Sequence, residues 1–215
     1  MKISMCIFDL DGTIISNHRQ YVQAFKNVLK NLTPKNLDDV ELQGSIGIKE
    51  NWPILINKYQ IITDKTWDEL AVKTQEEYLK LLDQVHVRAG FVEFVEDLKA
   101  RGIEIALATS NTWEVVDQVL ERFQLTELFD IVTTHEEAIH TKPAPDLFLI
   151  TARKSDIEPS NCLVFEDALA GIQAAHEAKM KVVAIADDYN EKTVEDADLI
   201  FSSYNDIKFN QLEEL

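Results

Sequence analysis

The chain has 215 residues, with 21 Lys plus Arg against 38 Asp plus Glu, a formal charge of −17, and 46% hydrophobic residues. That length suits one globular domain with an insertion, or two small ones, and the 27% of charged residues are spread along the chain, which argues against general disorder. So negative a surface repels polyphosphate backbones and anionic headgroups, so neither nucleic acid nor a membrane surface is an expected partner, and an acidic enzyme or binding protein remains.

In chain order, the first predicted element is the apolar run Ile3 to Phe8, which ends at Asp9 and is too short for a signal peptide. No later run reaches membrane-spanning length, so a cytoplasmic location is the expectation. From about Ser16 to His86 the pattern is helical. Tyr21, Phe25, Val28, Leu29 and Leu32 form one stripe, and Trp67, Leu70, Thr74, Tyr78 and Leu81 form another. Strand-type runs then resume at Ile103 to Ala108, Ile131 to Thr133, Cys162 to Phe165, Val182 to Ile185 and Leu199 to Phe201. Near-continuous hydrophobicity marks strands covered on both faces. Helical patterns lie between them, with Val116, Val119, Leu120 and Phe123 after the second run and the small-residue stretch Ala168 to Ala178 after the fourth. The expected fold is therefore α/β, a Rossmann-like three-layer core with a parallel sheet plus an inserted all-α domain. The expected division is 1–15 with 87–215 as core and 16–86 as the helical insertion, with hinges just beyond Thr13 and at His86 to Gly90. Cys6 and Cys162 each fall inside a strand run and read as small core residues rather than a disulfide.

Four polar clusters stand at or after the C-terminal ends of these strands, where open parallel sheets bind ligands. The first is Asp9-Leu10-Asp11-Gly12-Thr13, two carboxylates aimed together by a glycine turn, suited to a nucleophile with an acid/base or to a metal. The second, Thr109-Ser110-Asn111, offers hydroxyls and amides at an expected helix start. The third places Lys142 between Thr141 and Pro143-Ala144-Pro145-Asp146, with two prolines restricting the backbone. The fourth, Glu166-Asp167, opens the small-residue helix and suits oxygen ligation of a hard cation. Alone, each has a structural reading as an Asx turn, an N-cap, a solvated lysine or a carboxylate at a helix N-terminus. Their convergence points to a site. His135, His140, Glu136 and Glu137 could suggest a transition-metal site, but the oxygen-rich clusters favour Mg2+.

With these motifs in order, the chain resembles the haloacid dehalogenase-like hydrolase superfamily, in its β-phosphoglucomutase-like branch with a helical cap. Asp9-Leu10-Asp11-Gly12-Thr13, Thr109, Lys142 and Glu166-Asp167 match its four motifs. The resemblance implies that Asp9 attacks a phosphate ester and that Asp11 serves as acid and then base. It also implies Mg2+ held by Asp9, the Asp11 carbonyl and Asp167, with Glu166 a ligand or a partner behind them. Thr109, Ser110 and Lys142 would then hold the phosphoryl group. The acid at position 11 separates this chain from the dehalogenases and phosphonoacetaldehyde hydrolases, which lack it. Thr141 stands where the family usually has Gly before the lysine.

The insertion resembles the cap that selects the leaving group. Its expected specificity loop is Leu42-Gln43-Gly44-Ser45-Ile46-Gly47, making Gln43, Gly44 and Ser45, with Asn111, candidate substrate contacts. The β-phosphoglucomutases resembled here carry a cap histidine where Tyr21 falls and an arginine where Gly47 falls, so a phosphatase is preferred to a mutase. The expected partner is a small phosphorylated metabolite, a sugar phosphate or phosphoglycolate-like compound, acted on by a monomer or weak homodimer. The alternatives are a phosphosugar mutase and a non-catalytic phosphate-binding module.

Overall fold

The computed structural model describes residues 2–43, 46–187 and 189–215. The sheet is built from β1 (Met5–Phe8), β4 (Glu104–Ala108), β5 (Ile131–Thr133), β6 (Cys162–Glu166), β7 (Lys181–Ile185) and β8 (Leu199–Phe201). All pair in parallel, in the order β5-β4-β1-β6-β7-β8. All four residues of β1 and all five of β6 are buried, because helices cover both faces of the sheet. The chain runs outward from β1 in both directions, so the C-terminal ends of β1, β4 and β6 border the crevice where the strand order reverses.

The core helices are α4 (Phe91–Ala100), α5 (Trp113–Phe123), α6 (Asp146–Lys154), α7 (Leu169–Glu177) and α8 (Phe209–Glu213). α5 buries Val115, Val116, Val119 and Leu120, the inward stripe of a 3.6-residue period. On one face of the sheet Phe8 stacks on Phe165 at 4.5 Å and meets Phe91 edge-on at 5.4 Å. The other face packs Ile7 and Val164 against Phe148 and the alanines of α7. Cys6 and Cys162 are buried free thiols, and burial pushes the Cys162 thiol up to about 12.

The insertion carries α1 (His18–Leu29), α2 (Ile48–Tyr59) and α3 (Trp67–Leu79) around a core of its own that includes Phe25, Trp52, Leu55 and Leu70. A capping box starts α3, with Thr66 and Glu69 each accepting the other's backbone amide. The insertion is not purely helical. β2 (Ile15–Ser16) pairs antiparallel with β3 (His86–Val87), so a short ribbon forms its neck. Two residues per strand are too few to leave a periodic signal in sequence. Trp52 is fully buried and donates to the Thr74 hydroxyl at 3.2 Å, whereas Trp67 and Trp113 are exposed. Among the described residues no helix is long and apolar enough to cross a membrane.

Candidate active site

β1 delivers Asp9 into the crevice, where its backbone amide donates to the Phe165 carbonyl of β6 at 3.0 Å. The chain then turns sharply. Gly12 adopts a φ of 79°, and the amides of Ile14 and Ile15 both return to the Leu10 carbonyl. Gly12 is also required by space, since a Cβ there would lie 1.9 Å from Asp167 Oδ2. Arg88 donates to the Gly12 carbonyl and to Asp187 Oδ2 at 2.6 Å, fixing the outside of the turn.

Lys142 reaches the centre of this site. Its Nζ donates to Asp9 Oδ1 at 2.6 Å and to Glu166 Oε1 at 2.7 Å, and all three residues are buried. Burial works to lower the pKa of Lys142, but the two carboxylates outweigh it and hold the ammonium charged. Asp9 is pushed up to about 8, chiefly by burial, with Lys142 opposing and Glu166 and Asp11 adding repulsion. Glu166 Oε2 also accepts the amides of Asp167 and Ala168, at 2.8 and 3.1 Å, so this carboxylate is pinned from three sides.

Asp11 is held by two side-chain amides that no local spacing joins to it. Asn17 and Asn111 donate their Nδ2 groups to opposite oxygens of its carboxylate, Asn111 at 2.6 Å. Asn17 also donates to the Tyr78 hydroxyl at 2.8 Å, and the Tyr21 hydroxyl donates to Asn111 Oδ1 at 2.9 Å. Tyr21 and Tyr78 stack at 4.0 Å, so α1 and α3 close a ring of contacts over Asp11. Burial raises the pKa of Asp11, while the Asn17 and Asn111 donors pull it back down.

The structure brings Thr109, Ser110 and Asn111 to the same cavity as Asp9, Asp11 and Asp167. They do not open a helix, however. α5 begins at Trp113 with Thr112 as N-cap, leaving Thr109 to Asn111 in the loop before it. The Thr109 hydroxyl accepts the Asn111 amide at 3.2 Å and the Asn111 side chain turns to Asp11. Gln43 is exposed at the cavity edge, and its backbone is anchored on both sides by the side chain of Asn51. Gly44 and Ser45 lie outside the described residues. His140 pairs with Asp146 at 3.0 Å and Glu137 with Lys154 at 2.7 Å, and neither histidine joins an acidic cluster that could hold a metal among the described residues.

Asp9, Glu166 and Asp167 offer carboxylate oxygens that all lie within 4.8 Å of one another. Burial first, then Glu166 and Asp9, pushes the pKa of Asp167 far above the usual carboxylate range. Asn190 donates to the Asp167 carbonyl at 2.8 Å and orients that residue. Crowded carboxylates with a single ammonium between them lack positive charge, and an all-oxygen donor set fits a hard divalent cation such as Mg2+. Asn17, Tyr78, Arg88 and Asn190 were not foreseen from sequence, since each acts through a tertiary contact that no local spacing encodes.

A parallel α/β core with a helical insertion after its first strand, and an acid-and-lysine site at the strand ends, is the architecture of an α/β enzyme with a strand-end catalytic crevice. The chain belongs to the haloacid dehalogenase-like hydrolase family, whose profile matches residues 6–185. It is 30% identical over 185 residues to the fructose-1-phosphate phosphatase of Escherichia coli, covering 83% of this chain and 94% of that protein. It is 28% identical over 222 residues to the "probable pseudouridine-5'-phosphatase" of Drosophila melanogaster, covering 98% and 94% respectively. The crystal structure of β-phosphoglucomutase from Clostridium difficile superposes with a TM-score of 0.82 at 24% identity, covering 99% of this chain and 96% of that one, which establishes a shared fold.

Proposed function

We propose that the chain is an Mg2+-dependent phosphatase of a small phosphorylated metabolite, a sugar phosphate or phosphoglycolate-like compound, working through an aspartyl-phosphate. The observation that carries this reading is the contact of Lys142 with Asp9 at 2.6 Å, with Asp11 two residues on and Asp167 beside them. In this reading Asp9 attacks phosphorus, the ester P–O bond breaks, and Asp11 gives its proton to the leaving oxygen. Asp11 then takes a proton from water as that water attacks phosphorus, which frees inorganic phosphate and restores Asp9. The burial that raises the pKa of Asp11 favours the protonated form needed first. Asp9, the Asp11 carbonyl and Asp167 would hold Mg2+, with Glu166 steering Lys142 and Asp167 from behind. The cation would supply charge neutralisation for the phosphoryl oxygens. Lys142, Thr109 and Ser110 would hold the phosphoryl group. Residues 16–86 would act as the cap, hinged at the β2–β3 ribbon, and exclude bulk water during transfer.

The test is phosphate release from an aryl phosphate. Asp9→Asn is expected to lower kcat by roughly 10⁴-fold, and chelation of the metal should abolish turnover. Full activity in either case overturns the reading. Incubation with β-glucose 1-phosphate and a bisphosphate activator should yield free phosphate, and glucose 6-phosphate without phosphate release would favour a mutase.

A further inference from the structure

In the phosphatase reading the cavity above the strand ends would receive the part of the ester that Lys142 and the loop hydroxyls do not touch, and its two walls differ in chemistry. Among the described residues the charged groups lining it are Asp9, Asp11 and Asp167, all acidic and all on the strand-end side. Facing them from the insertion are the apolar surfaces of Tyr21, Phe25, Leu42 and Ile48, with the polar side chains of Asn17, His18 and Gln43 beside them. Asn51 also lines the cavity, but its amide is committed to the Gln43 and Gly47 carbonyls and the Gln43 amide. Burial holds His18 below its ordinary pKa of 6.5, so its ring adds no charge at neutral pH. The cations nearby are engaged elsewhere. Arg88 holds Asp187 and the Gly12 carbonyl, Arg19 binds the Tyr189 hydroxyl, and Lys49 at the start of α2 pairs with Asp68 at 2.5 Å.

We propose that this pocket selects monophosphate esters whose leaving group is an uncharged polyhydroxylated alcohol, such as a sugar, and discriminates against esters carrying a carboxylate or a second phosphate. One phosphoryl group can be balanced by Lys142 and a divalent cation. A second anion would sit between carboxylates and a wall that among the described residues offers it no cation, partly desolvated and opposed by like charge. The C–H face of a sugar ring, by contrast, packs on Phe25 and Tyr21 without losing an ionic partner. The proposal rests on the phosphatase reading and narrows it, removing the phosphoglycolate-like half.

The experiment compares matched esters with the Mg2+-loaded enzyme: glucose 6-phosphate with 6-phosphogluconate, fructose 1-phosphate with fructose 1,6-bisphosphate, and glycolaldehyde phosphate with 2-phosphoglycolate. kcat/KM is read by phosphate release, and for a pair that is not turned over, the inhibition constant against p-nitrophenyl phosphate is read instead. The neutral member should lead by at least about tenfold in each pair. Equal or better use of the anionic members overturns the proposal while leaving the phosphatase reading intact; no Mg2+-dependent release from p-nitrophenyl phosphate overturns both. As a second arm, Leu42→Lys should move the ratio toward the anionic member, and an unchanged ratio would show that the charge of the lining does not set selectivity.

Discussion

Gly171 shows how a single missing methyl group positions a carboxylate. It lies inside α7 rather than at a turn, and a Cβ there would stand 1.8 Å from Glu166 Oε1 and 1.9 Å from the same side chain's Cδ. Glu166 cannot withdraw, because Lys142 and the amides of Asp167 and Ala168 all donate to it. Two effects therefore compete in Gly171→Ala. Helix propensity favours alanine by about 1 kcal/mol, while the overlap displaces a fully buried acid and the lysine it holds. The overlap wins by magnitude, so thermal unfolding should show a lower Tm and Mg2+ titration a weaker affinity. A raised Tm with unchanged Mg2+ affinity would contradict this. Glu166 and Asp167 were legible in sequence because acids directly follow an apolar strand run. The need for Gly171 was not, since it arises from how closely α7 approaches the end of β6. The amide contacts to Asp11 have no local signal either, since Asn17 lies 6 residues from it and Asn111 100 and only the fold brings them together.

At the scale of elements, Asp198 ties three together. It accepts from the Val182 amide in β7 at 2.9 Å, from Lys181 Nζ at 2.5 Å and from His176 of α7 at 3.3 Å, just before β8 begins. Burial works to raise its pKa, but Lys181, the Val182 amide and His176 prevail and hold it below its ordinary 3.8. A depressed carboxylate pKa means the stabilisation is fully present above 3.8 and is lost as pH falls through the lower folded value. Asp198→Asn should therefore cost about 1–2 kcal/mol in urea unfolding at pH 7. The gap from the wild type should narrow as the pH is taken toward 3. A gap that stays constant with pH would assign the effect to shape rather than charge. The strands that Asp198 joins were readable from their unbroken apolar runs, because burial on both faces leaves a signal in every residue. β2 and β3 leave none, and the exposed Trp67 shows that an aromatic at helical spacing reports a face only when the neighbouring element covers it.

Across the whole molecule the charge of −17 sets how substrate arrives. An approaching phosphate ester is a dianion, and the site it would enter is lined by Asp9, Asp11 and Asp167, so the positive field of Lys142, joined by that of Mg2+ in the proposed reading, would be local and buried. Two fields of opposite sign thus act at different ranges. The repulsive one comes from surface charges tens of ångströms apart, where salt screens it, with a Debye length of about 30 Å at 10 mM and about 10 Å at 100 mM. The attractive one acts over hydrogen-bond distances, as in the 2.6 Å contact of Lys142 with Asp9, where salt screens little. Added salt therefore removes more repulsion than attraction. With Mg2+ saturating, kcat/KM for an aryl phosphate dianion should rise as NaCl is taken from about 10 to about 100 mM, while kcat stays flat because bound substrate no longer feels the distant charges. The opposite slope would mean that attraction extends beyond the crevice mouth, and that the acidic surface does not govern encounter.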